Sequence, residues 1–333
     1  MATKLEHGKP QEMVRVVVVG MGLMGMLHAR ILQRLRGAEV VGAVDISDAT
    51  LAQVKSELGI PTYKHLDEII EQADAVSITL PDELHVDACV SALSKGKYVL
   101  VEKPLATNVA DARKILDAQI APNRLMVGQL LRFDLRLSEL KRRIDAGQFG
   151  TIELVKVNRA NSRAGAARLK GRASVTAFLG VHDLDLLLWL TGGSIVEVQA
   201  MGREVFSGQI DLSLAHVKLD NGIIASVENH WLIHGASARS AFAGVQVFGD
   251  KGTASLDLST DELEIVTDEL GMTRRIDSRN WSHDGGVSGG SLRRELEAFI
   301  DAIVDGKPMP VSGEEGLRAV VALNLVEAAL APK

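Results

Sequence analysis

The chain has 333 residues, with 37 Lys and Arg against 43 Asp and Glu for a formal charge of −6, and 46% of it is hydrophobic. This length and apolar fraction predict a globular protein of two domains and exclude a disordered or collagen-like chain. The acidic balance lacks the Lys/Arg excess that a phosphate backbone requires, which excludes nucleic acid, and no apolar run near the N-terminus reaches membrane-spanning length.

The polar start, MATKLEHGKPQE, has no apolar signal-peptide core and reads as a loose tail. The lone cysteine, Cys89, lies in the apolar stretch VDACVSAL and reads as a buried structural thiol, which fits a reducing cytoplasm. From Val14, Val-rich strand-length runs alternate with stretches of helical periodicity, the pattern of βαβ units and a parallel sheet. Five strands are predicted: Val14 to Val19, Glu39 to Val44, Ala75 to Leu80, Tyr98 to Val101 and Arg124 to Val127. The helices between them are Leu23 to Leu35, Ala49 to Leu58, Leu84 to Leu93 and Val109 to Gln119. A first domain over residues 12–127 follows.

The first strand runs into Gly20-Met21-Gly22-Leu23-Met24-Gly25, a GxGxxG that opens a helix. In that position the motif predicts a dinucleotide site. Gly20 would make the tight turn, Gly22 would admit the pyrophosphate, and Gly25 would let helix and strand pack closely. The N–H groups of the first helical turn, with Leu23 and Met24, would face the phosphates. Asp45 stands 20 residues past the last glycine, where a carboxylate binds ribose hydroxyls and repels a 2′-phosphate. NAD is therefore expected, with NADP left open; a plain strand-end or capping aspartate is the competing reading of Asp45.

The segments Thr79-Leu80-Pro81-Asp82-Glu83-Leu84-His85 and Glu102-Lys103-Pro104 fall at carboxyl ends of strands, the edge where such sheets bind ligands. Leu80, Pro81, His85, Glu102 and Lys103 are accordingly candidate cofactor contacts. Proline after Lys103 holds that residue extended and aims its side chain out of the sheet.

On these motifs the chain resembles the glucose-fructose oxidoreductase / inositol dehydrogenase (Gfo/Idh/MocA) family. The resemblance runs from GMGLMG through TLPDELH, EKPLATNVADA, LLRFDLRLSELKRRIDAGQFG, GVHDLDLLLWL and GDKGTASLD to ELEAFIDAIVDGKPMPVSGEEGLRAV. It implies an α/β Rossmann domain followed by an α+β domain with a large, mostly antiparallel open sheet. It also implies NAD(P)-linked oxidation of a sugar or cyclitol hydroxyl, with Lys103 and His182 as the catalytic pair and Asp185 close by.

Beyond about residue 128 the pattern changes to strands joined by short turns: Ile152 to Asn158, Ile195 to Met201, Ile210 to Leu219, Ile223 to Asn229, Ala241 to Phe248, Gly252 to Leu256 and Glu262 to Val266. The Asp220-Asn221-Gly222 turn marks a hairpin. A second domain over 128–333 is expected, and its open sheet face predicts a homodimer or homotetramer.

Set into it is Gly180-Val181-His182-Asp183-Leu184-Asp185-Leu186-Leu187-Leu188-Trp189-Leu190, apolar almost all round, so its polar groups must be paired or line a cleft. His182 at a helix N-terminus would be uncharged, and Asp185 would orient it. The family aspartate four residues before this histidine is here Phe178, so Asp185 or Asp183 would have to supply its contact. Arg159, Arg163, Arg168, Lys170 and Arg172 form a basic island, which favours an anionic sugar or polyol unless the arginines are merely solvated.

Substrate contacts are expected from Lys103, His182, Asp185, Arg132, Arg159 and Arg163. The glycine-rich stretch from His283 to Gly290 reads as a flexible loop near the cleft. His65, His85, His216, His230, His234 and His283 lack ligand spacing, so no metal is expected. Two other readings compete with a dehydrogenase: an NAD-dependent glycosidase or lyase that recycles its cofactor, and a non-catalytic sugar or nucleotide sensor.

Overall fold

The computed structural model describes residues 13–331, apart from 238–240, 260–261, 268–272, 276–282, 285–286 and 289, and nothing is described of the side chains between 260 and 289. The first half is a parallel sheet of β1 (Val14–Val19), β2 (Ala38–Val44), β3 (Thr62–Tyr63), β4 (Ala75–Ile78), β5 (Tyr98–Glu102) and β6 (Leu125–Gly128), in the order β3-β2-β1-β4-β5-β6. The order reverses between β1 and β4, which opens a crevice at their carboxyl ends where a dinucleotide lies in such folds. Of these strands β4, β5 and β6 expose no residue and β1 exposes only Arg15, which explains their apolar runs. The extra strand, β3, is two residues long and carries no sequence signal of its own.

The crossovers are α1 (Leu23–Leu32), α2 (Asp48–Leu58), α3 (His85–Ser94) and α4 (Val109–Asp117). Ser47 and Asn108 cap α2 and α4 by accepting from Thr50 and Asp111 N–H, so both helices start where a polar cap precedes an apolar stripe. Cys89 is buried on α3, and burial pushes its thiol far up, as a structural role requires.

The chain then passes through α5 (Leu135–Asp145) to β7 (Ile152–Ser162), α6 (Arg163–Leu169) and α7 (Val181–Thr191). The long strands follow: β8 (Ile195–Glu204), β9 (Ile210–Leu219), β10 (Ile224–Ile233), β11 (Ala241–Gly249), β12 (Gly252–Asp257), β13 (Glu262–Thr267) and β14 (Thr273–Arg275). Their order is β14-β13-β12-β11-β7-β10-β9-β8, antiparallel except for the parallel pair β7 and β10. The hairpin between β9 and β10 turns at Gly222, whose φ of +89° is the left-handed conformation that only glycine adopts freely. One face of this sheet buries Val155, Val157, Val217, Val227 and Val245 against Leu184, Leu187 and Leu188 of α7. The other face leaves Val196, Met201, Ile224 and Phe242 exposed.

The last helices are α8 (Gly290–Asp305), which packs on the parallel sheet, and α9 (Gly313–Leu330), which lies between the two: Val320 joins the first core while Ala322, Leu323 and Val326 join the core of the second sheet. Leu292, Leu296 and Phe299 of α8, with Met309, Val311 and Val320, belong to the core of the parallel sheet, and Val127 N–H donates to Val311 O at 3.1 Å. A division near residue 127 therefore marks the end of the parallel strands, while the segment after residue 290 returns to cover them. Among the described residues no helix is long and apolar enough to cross a membrane.

Candidate active site

At the end of β1 the backbone turns at Gly20 with φ +88°, and a Cβ there would stand 2.9 Å from Thr79 O. A Cβ on Gly25 would lie 2.0 Å from Gly20 O, so both positions require glycine for close packing. At Gly22 nothing lies within 4 Å of a Cβ, so this glycine leaves room on its open side. That contrast fits a phosphate pressing on the backbone at Gly22, and the first N–H groups of α1, including Leu23 and Met24, have no helical acceptor. Asp45 sits at the mouth of the same turn: its Oδ2 accepts from Met21 N–H at 2.8 Å and its Oδ1 from Ser47 N–H at 2.8 Å. The residues present thus fit an adenine dinucleotide, held by the glycine turn and Asp45.

His85 does not reach a ligand. It is fully buried, with Nδ1 2.9 Å from Pro104 O and Nε2 3.0 Å from Leu80 O. Its role is to tie the Leu80-Pro81 loop to the Lys103-Pro104 turn, so the expected cofactor contact is replaced by a structural one. Glu102 likewise spends its oxygens inward, on Lys103 N–H at 3.3 Å and beside His28 Nε2 at 3.3 Å.

Lys103 leaves the carboxyl end of β5, half-buried, with no ion-pair partner within 4 Å among the described residues. Its Nζ donates to Phe178 O at 3.4 Å and lies 4.6 Å above the Phe178 ring. Burial lowers its pKa, Glu102 and Asp82 oppose the shift, and Arg159 adds to it. Phe178 packs on the buried Trp231 at 5.7 Å between ring centroids. The ring and carbonyl at position 178 thus give the ammonium a π face and one acceptor, with no carboxylate.

His182 is not at a free helix N-terminus, contrary to expectation. A π turn, Thr176–Gly180, runs into α7 without a break, and Ser174 caps it by accepting from Ala177 N–H at 3.0 Å. The dipole argument therefore gives way to another cause. Burial first, then the charges of Lys103 and Arg159, hold His182 well below its ordinary value near 6.5. Its Nδ1 is buried without a hydrogen-bond partner.

Neither neighbouring aspartate bonds to it. Both oxygens of Asp185 are taken by Arg132, at 2.9 and 2.6 Å, and Arg132 also pairs with Glu315. Asp183 accepts from Arg159 at 3.0 and 2.8 Å and from Asn229 at 2.7 Å. The expected orientation of His182 by Asp185, and a substrate contact from Arg132, therefore fail: these groups neutralise one another in the interior.

The remaining arginines disperse. Arg163 is exposed on α6 with its guanidinium 5.0 Å from the Phe206 ring. Only Arg172 lines the interdomain cleft, 3.9 Å from Glu83. That cleft, about 320 Å³, runs between Pro81, Asp82, Glu83 and Pro104 on one side and Ser174, Phe178 and Gln209 on the other, closed by Glu327. Of the stretch from His283 to Gly290, residues 285, 286 and 289 lie outside the described residues.

Sequence reading missed His28, buried beside Glu102, and Glu295, fully buried on α8. A signal existed: each sits within the apolar stripe of its helix, His28 beside Leu27 and Ile31, Glu295 between Leu292 and Phe299.

Residues 14–129 match the family model described as "Oxidoreductase family, NAD-binding Rossmann fold", and residues 137–255 match "GFO/IDH/MocA C-terminal domain". Inositol 2-dehydrogenase 1 of Saccharopolyspora erythraea is 30% identical over 319 residues, 92% of this chain and 90% of that one. The chain belongs to the Gfo/Idh/MocA family. It is an NAD-dependent oxidoreductase acting on CH–OH groups. UDP-N-acetylglucosamine 3-dehydrogenase of Acidithiobacillus ferrooxidans is 26% identical over 95% of this chain and 97% of its own. A solved structure of scyllo-inositol dehydrogenase from Lactobacillus casei, with bound NAD(H) and scyllo-inositol, shares the fold at a TM-score of 0.80 and 21% identity, covering 96% of this chain and 97% of that one.

Proposed function

We propose that this member of the family oxidises a secondary hydroxyl of a neutral cyclitol or monosaccharide, with Lys103 as general base and His182 as the group that positions the hydroxyl or relays its proton. The observation that carries this reading is a lysine and a histidine, one from each half of the molecule, near enough for the lysine's charge to act on the histidine. Burial favours the uncharged form of both, and neither is spent on an ion pair.

The nicotinamide of bound NAD supplies the acceptor for the carbinol hydrogen. The chain's own residues handle the proton: the Lys103 amine takes it from the hydroxyl, and the partly exposed ring of His182 receives or donates a hydrogen bond at the same oxygen. Phe178 closes one wall with an apolar face. The cleft of about 320 Å³ opens beside Pro104 and Phe178, and neither Lys103 nor His182 is among its lining residues. Arg132 and Arg159 are neutralised by aspartates and Arg172, the arginine that lines the cleft, faces Glu83, so the anionic substrate expected from the basic island gives way to a neutral one.

The test is absorbance of reduced nicotinamide with NAD and a panel of inositols, neutral sugars, sugar acids and UDP-sugars. Growth with an inositol or neutral sugar is expected, and growth only with UDP-sugars or sugar acids would overturn the substrate class. Lys103→Met should keep NAD binding while turnover falls by about 10²–10⁴; unchanged turnover would remove Lys103 from the role. We also infer association of two copies through the sheet face that carries Val196, Met201 and Ile224, which sedimentation would read as a dimer or tetramer.

A further inference from the structure

Behind Lys103 lies a buried polar cluster that the proposed reaction does not use. Glu102 closes β5 and accepts from the Lys103 backbone N–H through Oε2. Its Oε1 lies 3.3 Å from Nε2 of His28, and His28 Nδ1 meets Ser77 Oγ at 2.9 Å. His28 stands on α1, the helix that begins at the glycine turn. One carboxylate therefore joins the phosphate-binding helix to the turn that carries the lysine.

Glu295 from α8 completes the cluster. It is fully buried, and neither of its oxygens has a hydrogen-bond partner among the described residues. Two carboxyls in one dry site do not both ionise. Glu102 accepts from the Lys103 N–H with the His28 ring beside it, and Glu295 has no donor among the described residues, so Glu102 carries the charge and Glu295 the proton. The titration directions agree. Burial opposes the Glu102 anion, yet His28 and Lys103 hold its carboxyl below the ordinary range; burial and then the Glu102 charge push Glu295 well above it.

We propose that Glu102 is a positioning residue whose single charge, braced by His28 and by a protonated Glu295, sets the pH at which Lys103 gives up its proton. The charges that face Lys103 from other elements are Asp82 after β4 and Arg159 of β7, with His182 of α7 close by. Those that face Glu102 are His28 of α1, Lys103 itself and Glu295 of α8. Asp82 and Glu102 favour the ammonium and Arg159 opposes it, so removing the Glu102 charge frees the amine at lower pH.

The catalytic meaning rests on the reading of Lys103 as a base, but the titration itself needs no substrate. The whole protein is pulsed with acetic anhydride across a pH series, and acetylation at Lys103 is followed by peptide mass spectrometry. Glu102→Gln should move the midpoint of labelling down by about one pH unit or more, the range for loss of a neighbouring opposite charge. Glu102→Asp keeps the charge and should restore the midpoint towards wild type, while Glu295→Gln, neutral for neutral, should leave it in place.

Coincident curves for Glu102→Gln and wild type would overturn the proposal. So would equal shifts in Glu102→Gln and Glu102→Asp, which mark a packing effect, or a shift in Glu295→Gln, which marks an ionised Glu295. A protein that labels as expected but oxidises no polyol would count against the proposed function alone.

Discussion

Replacing Glu295 by Gln should stabilise this protein, and the gain should depend on pH in a direction that the structure dictates. In the unfolded chain the carboxyl ionises near its ordinary value of 4.5; in the fold, burial and the Glu102 charge push it well above that. Folding at neutral pH therefore takes up a proton. A group whose folded pKa is raised binds more protons in the native state, so its cost is absent below pH 4.5 and grows as pH rises, until pH passes the folded value.

The slope is ~1.4 kcal/mol per pH unit for as long as pH lies between the unfolded and the folded value. Glutamine keeps the shape and carries no proton to gain. Urea unfolding of both proteins at pH 5, 6 and 7, with the transition midpoint and its slope fitted together, measures the difference. The expected pattern is near-equal stability at pH 5 and a widening advantage for Glu295→Gln above it. A difference that stays flat with pH, or a variant less stable at pH 7, would refute a protonated Glu295.

The glycines separate fold from ligand: Gly25→Ala forces a Cβ to 2.0 Å from Gly20 O and should cost ~1–3 kcal/mol in urea unfolding, whereas Gly22→Ala meets nothing within 4 Å and should unfold like wild type while weakening NAD in a fluorescence titration. Asp45→Ala removes the acceptor of Met21 N–H and should raise the NADP-to-NAD ratio of kcat/KM, with an unchanged ratio counting against its place at the ribose. Arg132→Ala leaves Asp185 buried without its partner and should lower stability by ~3–5 kcal/mol, read by the same unfolding assay. His182, held well below 6.5, should give no limb near that pH in the profile of kcat, and a limb there would place a charged imidazole in the site.

What was legible in the chain was whatever repeats along it. The parallel strands follow from Val runs between amphipathic helices, and the second sheet from turn chemistry such as Asn221-Gly222, because both signals are local. The return of α8 to the first core was not legible: the stripe of Leu292, Leu296 and Phe299 says that the helix is buried, and nothing in its period says against which sheet. The π turn before α7 was missed for a related reason. Gly180 looks like a helix start, yet it is glycine because a Cβ there would come within 2.5 Å of Asn229 Oδ1, a contact made by a strand far along the chain.

The site shows the same limit more sharply, because its chemistry depends on which charges are left after pairing. Sequence ranks Arg132, Arg159 and Asp185 alongside Lys103 and His182, since all are polar groups in or near apolar segments. The fold cancels the first three in pairs: Arg132 against Asp185 and Glu315, Arg159 against Asp183. Each pair is buried or nearly so, where an unpaired charge would cost several kcal/mol. Lys103 and His182 are not cancelled, and burial instead favours their neutral forms. The same accounting bears on Phe178, which stands where the family resemblance implies an acid. A carboxylate at that position would stand beside Lys103 and favour its ammonium form, whereas a ring and a carbonyl hold the amine in place with a weaker bias towards charge.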